Sequence, residues 1–534
     1  MPSQLMAGSI VAPGFNGLNT QESGITLDSG WALTASNAVI DKYGRIGARR
    51  GWSMLTTNKG TLTTGTTVDS IFEYKDTTGT ITYLCSGDTK LFKTTDGSTL
   101  TALSVRNTAD TANIAYTISA NNWQYCALPY GQGQYAVGNA FLAQAGHPLL
   151  IWQYSAVTSQ YILQRVGDVG AVPAGYSVST FDPNVAVSAY GRLWTAVIND
   201  NKTTVFYSSL LDGSDFTAAG SGIIDVSAVV GNNDEIVNIA LHNNFLIIFC
   251  KNNTIVYANA NDVDNMALSD VVKGIGCIAR DSVQNTGTDV LFLSKTGLRA
   301  LSRTIQEKSM PLRELSLNIR DDLVTLIEGE ALANIKSVYY ERDAFYLLTM
   351  PVTKQIICFD MRAPAPNGAA KVTRWEDIEH KSFCVTEGRT LLVGQVDGIG
   401  RYYGFDDNGA SYRMRYYTNY FDMGEPTRLK MLRKVGLVVI GGQGQDFVVK
   451  YGFDYSTNLS GVGLSLSDTG TASEYNIAEY AIGEYSGGTV AEAVSVNVGG
   501  SGKVVQLGFE ADINGNPLSI QKIDISLLAG KVII

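Results

Sequence analysis

Few residues in this chain are spaced to do covalent chemistry. Its three histidines, His147, His242 and His380, stand alone, and His147 precedes Pro148 in a turn. A zinc site built on paired His, or a serine activated by His and Asp, needs these groups in combination. Each His therefore reads as a surface or hydrogen-bonded structural residue. Gly499 to Lys503 has the composition of a phosphate loop, but its first Gly would fall at Asn497, and Val504 stands where Ser or Thr is required. Gly441 to Asp446 and Gly131 to Gly138 lack the strand and helix that frame a dinucleotide site and read as turns. Asp262, Asp264 and Asn265 begin like a calcium loop, without the Gly at its sixth position or the Glu at its twelfth. Thr94 to Thr99 resembles a sialidase-type turn, but it occurs once and lacks the closing Trp. With 50 acidic residues a carboxylate pair for glycoside hydrolysis is always available, and separation in space decides whether one exists. No catalytic residue, metal ligand or cofactor is assigned, and the expectation is a protein that is not an enzyme.

The composition describes what must hold any site. The 534 residues are 45% hydrophobic and 17% charged, with 55 Gly, 12 Pro and 27 Tyr, which is a multidomain globular chain rich in strands and turns. A net charge of −10 counts against gripping nucleic acid through its phosphates. Cys85, Cys126, Cys250, Cys277, Cys358 and Cys384 lie far apart, mostly in apolar runs, and read as buried thiols of a protein made in a reducing cytoplasm. Met1 to Ile10 is not a signal peptide, and no apolar run approaches a membrane span, so stable membrane insertion is not expected.

Between residues 69 and 405 one shape recurs, an alternating apolar run, a polar turn and a second run, which is a hairpin. The turns fall at Gly87-Asp88, Gly146-His147, Asp200-Asn201, Asn252-Asn253, Thr296-Gly297, Val352-Thr353 and Asp397-Gly398. Their spacing, roughly 44 to 59 residues, is close to the repeat of a four-stranded propeller blade. The expected fold is all-β, with a propeller of six or seven blades over residues 63–408. Residues 1–62 form an arm too polar to make a core alone, and residues 409–534 return to strands. Arm and C-terminal region together are expected to build a second unit, a β-sandwich or platform. Ile319, Leu323, Leu326 and Ile327 follow helical spacing behind Asp321 and Asp322, which predicts a short helix between blades, packed on the propeller flank.

Basic residues cluster at Arg45, Arg49 and Arg50, and again at Arg428, Lys430, Arg433 and Lys434. If the two ends share a unit, these become a candidate interface for another subunit or an adaptor protein. A five-residue period, Glu474-Tyr475, Glu479-Tyr480, Glu484-Tyr485, fits neither helix nor strand and is a candidate tip or channel-facing loop.

Pro13-Gly14-Phe15-Asn16-Gly17-Leu18-Asn19-Thr20, then Asn37-Ala38 and Tyr43 to Trp52, resemble the opening of tail nozzle (tail tube hub) proteins of short-tailed bacteriophages. Gly499 to Gly508, Ile513 to Ile525 and Arg192-Leu193-Trp194 are similar to other parts of that family. The resemblance implies a virion protein of the viral tail, assembled in the bacterial host cytoplasm. It further implies a structural role as a homohexamer ring beneath the portal, bound to a tail adaptor or head-to-tail connector and to a tail fibre, spike or plug. Double-stranded DNA passes through such a ring transiently during ejection. Six copies at −10 each carry about −60, so a carboxylate-lined lumen repels phosphate and lets DNA slide. Two other functions compete: a carbohydrate-binding or depolymerase propeller acting on host surface glycan, and a stopper that seals the channel without forming its wall.

Overall fold

A computed structural model describes residues 5–128, 138–231, 234–302, 314–466 and 491–532. Strands dominate, and six small sheets stand radially as propeller blades. Their innermost strands are Ser70–Lys75, Gln124–Leu128, Val185–Ala189, Ile236–His242, Gln284–Asn285 and Ser382–Val385. A seventh place in the ring, between the fifth and last of these, is filled by Lys336–Tyr340, Phe345–Met350, Gln355–Asp360 and Lys371–Glu376, the first four strands of a larger, ten-stranded sheet. Here it is blade six, and the sheet that begins at Ser382–Val385 is blade seven. Gln284 donates to the Ser337 carbonyl at 3.1 Å, and Asn285 to the Leu241 carbonyl at 3.3 Å, tying blade five to both neighbours.

Each of the seven sequence-located turns joins the second and third strands of a blade. These two strands are the most buried and the most regularly apolar, so the turn between them leaves the clearest mark. Left-handed residues such as Gly146 (φ 70°) and Asp397 (φ 67°) supply the backbone that tight hairpins need. Neighbouring blades share apolar seams: Trp152 packs with Tyr74 and Leu84 between blades one and two, and Trp375 with Val393 and Tyr402 between blades six and seven. The ring closes when Trp52–Met54, from near the start of the chain, pairs with Gly400–Tyr402 of blade seven. The predicted helix forms over Arg320–Glu328, with Asp321 and Asp322 in its first turn and Leu323 and Ile327 buried. It packs into the largest core, which also holds Leu348, Ile357 and Phe359 of blade six.

Both chain ends build the second unit, a sandwich of two sheets. The ten-stranded sheet runs outward from blade six through Gly17–Leu18 and Trp31–Ser36 to Tyr412–Phe421, Val505–Ile513, Asp446–Phe453 and Ser460–Ser465. The facing sheet is centred on the long antiparallel pair Arg428–Gly441 and Leu518–Val532. Ala491–Asn497 and Ser501–Gly502 flank it on one side, and Leu5–Val11 and Ile46–Ala48 on the other. Val435, Leu437 and Val439 alternate inward against Phe447, Val449, Leu507 and Phe509, the period-two pattern that fixes register where one face is buried. The arm thus finds its core in the C-terminal strands. Among the described residues no helix is long and apolar enough to cross a membrane.

Candidate functional site: a charged hub at the propeller axis

The inner strands begin on one face of the ring, and there their polar first residues converge. Arg280, in the short turn Arg280–Ser282 before blade five, is almost fully buried. Its guanidinium donates to Asp281 at 2.9 and 2.8 Å, to the carbonyl and side chain of Asn184 at 2.9 and 2.6 Å, and to those of Asn122 at 2.8 and 2.9 Å. Lys336, the first residue of blade six, donates to Asp281 and to the Asn122 side chain. Asn238 of blade four donates to the Arg280 carbonyl at 2.6 Å. Arg280 with Asp281 therefore fastens blades two to six around the axis, and the cost of burying the guanidinium is offset because its donors are matched by acceptors.

Beside this hub lies a cavity of about 370 Å³, lined by Asp69, Trp123, Gln124, Tyr125, Lys336 and Ser382 among others. Tyr125 stacks on Phe72 with ring centroids 5.5 Å apart, and its hydroxyl is 2.8 Å from that of Ser70. The buried indole N–H of Trp123 has no hydrogen-bond partner among the described residues. The cavity's two carboxylates titrate in opposite directions. Burial works against ionisation of Asp281, but Arg280 and Lys336 outweigh it and hold the carboxyl down at about 2. Burial raises Asp69 above the usual carboxylate range, and hydrogen bonds from Thr67 and Asn121 only partly offset this.

The signs give a prediction. A carboxyl held below its unfolded value of about 3.9 stabilises the fold above that pH, and loses the effect as pH falls from about 4 toward 2. Asp69 has the opposite sign: ionised at neutral pH it costs stability, which returns as pH drops through its raised value. Urea midpoints followed from pH 7 to 2 are expected to show Asp69→Asn more stable than wild type at pH 7. Asp281→Asn is expected to be less stable at pH 7 and to have a flattened acid limb. An acid limb unchanged by Asp281→Asn would remove the hub as its source.

The basic residues singled out in the sequence do not form one outer face. Arg49 is fully buried: its Nε donates to Asn37 at 2.9 Å, its two terminal nitrogens reach Asp407 at 2.8 and 2.7 Å, and its plane lies 4.0 Å from the Tyr412 ring centroid. Arg45 is buried too, paired with Asp41 and laid over Tyr43. Lys430 is buried with its ammonium on the carbonyls of Glu425, Arg428 and Lys503 at 2.6, 3.2 and 2.7 Å. The last of these carbonyls belongs to the Gly499–Lys503 loop, which therefore presents an acceptor to a cation where a phosphate loop would present donors. Arg50 is half-buried, with its backbone N–H on the Tyr402 hydroxyl, and Arg428 is half-buried and paired with Glu425. Arg433 and Lys434 are exposed. Lys434 sits beside Ser526, and Ile46 beside Ile520, so the two clusters are six residues, roughly 20 Å, apart along one strand. Buried cations answered by internal acceptors are not available to a partner, which leaves Arg433 and Lys434 as the accessible members. Glu474, Tyr475, Glu479, Tyr480, Glu484 and Tyr485 lie outside the described residues.

His147 is a buried structural residue: its Nε2 accepts the Ser119 N–H at 3.0 Å and its Nδ1 donates to the Ala145 carbonyl at 2.9 Å. Burial, and then the nearby Arg49, holds His380 well below the ordinary imidazole value, so it is neutral at physiological pH. All six cysteines are free, with Cys85, Cys250, Cys277 and Cys358 buried and the other two partly so. Burial pushes the thiols of Cys85, Cys250 and Cys384 up to about 12 and that of Cys277 to about 11. A thiol reagent at pH 8 is expected to label the native protein at fewer than one site within minutes and all six after unfolding, read by mass. Rapid labelling of Cys277 in the native state would contradict this burial. Among the described residues no group of three or more His, Cys, Asp or Glu is placed to hold a metal ion.

No protein-family model matches the chain, and no curated protein does. Solved structures overlap it distantly. The extracellular domain of a one-component system from B. thetaiotaomicron is 11% identical, with a TM-score of 0.40 over 83% of this chain. The chain spans 59% of that domain's length. An α-L-arabinofuranosidase from Fusarium graminearum, solved with an iminosugar inhibitor, is 12% identical over 68% of this chain and 98% of its own, with a TM-score of 0.33. An auxiliary nutrient binding protein from Bacteroides thetaiotaomicron is 11% identical over 68% of this chain and 78% of its own, with a TM-score of 0.32. Overlaps this distant say nothing about what the chain binds.

Proposed function

We propose that the chain is a structural wall subunit of a phage tail nozzle, working as a ring through which DNA leaves the particle. One observation carries the reading. The two chain ends, whose motifs resemble the nozzle family, fold together into a sandwich that shares a continuous hydrogen-bonded sheet with the propeller. A load on the sandwich passes into blade six through backbone hydrogen bonds rather than through a hinge, which suits a wall that must hold shape under pressure. The acidic balance favours passage of DNA over its retention. Native mass spectrometry of the purified chain is expected to give closed rings, six copies for a nozzle, and particles lacking the chain are expected to lose packaged DNA. A monomer at micromolar concentration, together with intact particles that lack the chain, would overturn the reading.

A second reading, a propeller that binds or cleaves host glycan, is favoured by the axial cavity. Its carboxyls Asp69 and Asp281 are pushed apart in the way an acid and base pair requires, beside the rings of Trp123 and Tyr125. Release of reducing ends from host capsule, abolished by Asp69→Asn, would establish it. Neither release nor retention of capsule by the wild-type chain would end it.

A further inference from the structure

Sheet edges are where one copy of a β protein meets another, because an unpaired row of N–H and C=O groups is a ready template. The blades guard theirs. Thr101–Ala102 has two residues, Gly222–Asp225 ends in a carboxylate, and Ala267–Lys273 carries Asp270, Lys273 and a register shift. Leu163 of the strand Gln160–Arg165 already accepts from Arg106 at 2.8 Å, and Lys371–Glu376 is covered by Gly17–Leu18.

The sandwich has two edges with none of these devices. Ser460–Ser465 (SGVGLS) ends the ten-stranded sheet, pairs only with Asp446–Phe453 among the described residues, and has no charge, proline or register shift. Leu5–Val11 (LMAGSIV) pairs only with Leu518–Val532 among the described residues and is equally uncharged, with Ala7, Ser9 and Val11 exposed. At Gly463 φ is not left-handed and a Cβ would meet nothing within 4 Å among the described residues, so a side chain can be added there without strain. The two edges lie on opposite flanks. Gly8 abuts Met423, just past the end of Tyr412–Phe421, whereas Gly502 and Lys503 sit against Phe453 and Asp454 on the flank that Ser460–Ser465 closes.

We propose that Ser460–Ser465 of one copy pairs edge to edge with Leu5–Val11 of the next, so that the sandwiches of successive subunits form one belt. The occupant is a second copy because one chain carries both halves of the match, six and seven residues long. Two different patches meeting head to tail propagate, and close into a ring where the rotation allows. A self-pairing edge would stop at a dimer. The inference rests on the ring reading above and names its contact.

The test adds charge on both edges of the full-length chain: Gly463→Lys with Ser465→Lys, and Ala7→Lys with Ser9→Lys, positions whose side chains point to solvent or open space. Native mass spectrometry is expected to show wild-type rings and, in the four-lysine variant, a rise of roughly tenfold or more in the concentration for half assembly. The variant with Lys at 463 and 465 and Glu at 7 and 9 is expected to assemble like wild type. Hydrogen exchange of wild type is expected to show those amides of residues 461–465 that point away from Asp446–Phe453 protected in the ring and exchanging on dilution to monomer. Rings unaffected by four lysines, or amides that exchange freely within the ring, overturn the proposed contact and leave the ring reading standing. A wild-type monomer overturns the ring reading itself.

Discussion

Replacing Arg49 by Leu is expected to lower the free energy of unfolding by about 3 to 5 kcal/mol, the usual result of removing one member of a buried ion pair. The guanidinium sits where the arm, the last blade and the first C-terminal strand meet. It holds Asn37 of the arm and both oxygens of Asp407, which follows blade seven, and it stacks on Tyr412 at the head of the sandwich. Without it Asp407 keeps a mostly buried charge with no counterion, and the Asn37 side-chain oxygen keeps only the Glu376 N–H of its two donors. Arg49→Lys is expected to recover only part of the loss, because an ammonium cannot span two carboxylate oxygens and the Asn37 amide in one plane. Guanidinium-chloride unfolding checks both variants. A change under 1 kcal/mol for Arg49→Leu would show that the three segments hold together without the pair.

Trp375→Ala is expected to cost about 3 to 5 kcal/mol through the cavity left in the seam between blades six and seven. The indole is fully buried, its ring lies 5.5 Å from Tyr402 in a stacked pair, and its N–H donates to the Ala38 carbonyl at 3.2 Å. The same side chain therefore fills a blade seam and ties the arm to blade six. Trp375→Phe keeps most of the volume and loses the hydrogen bond, so it is expected to fall between wild type and Trp375→Ala. If the Phe variant were as unstable as the Ala variant, the hydrogen bond to Ala38 would carry most of the effect and the packing little.

Much of the fold was legible because its strongest signals are local. The second and third strands of each blade are apolar and joined by short polar turns, in most blades with a left-handed residue, so seven turns could be placed from sequence alone. The helix over Arg320–Glu328 announced itself in the same way, through spacing that only a helix satisfies. The closing strand Trp52–Met54 was not visible as part of the propeller, since three residues carry no periodicity and their partner Gly400–Tyr402 lies some 350 residues away. Blade five's inner strand, Gln284–Asn285, is shorter still.

The hub had no signal at all. Arg280 with Asp281, Lys336, Asn122 and Asn184 belong to four different repeats, and nothing in their flanking residues says that inner strands will start at one axis. Charge counting had the reverse fault with Arg45, Arg49 and Lys430, which are basic and clustered in sequence but buried in the fold. Whether a cation faces water depends on where its acceptors lie. Asp407 is 358 positions from Arg49, and the Lys503 carbonyl is 73 from Lys430.

The sequence by itself determined what alternation and turn chemistry can determine: an all-β chain, the seven hairpins, one helix, free thiols in apolar runs, and chain ends that need each other for a core. Tertiary structure alone decided blade six's union with the sandwich, the axial hub, the inward fate of three cations and the two open edges. The reason is that hydrophobic periodicity is written into neighbouring residues, whereas ion pairs, blade closure and edge exposure are set by distances between residues hundreds of positions apart.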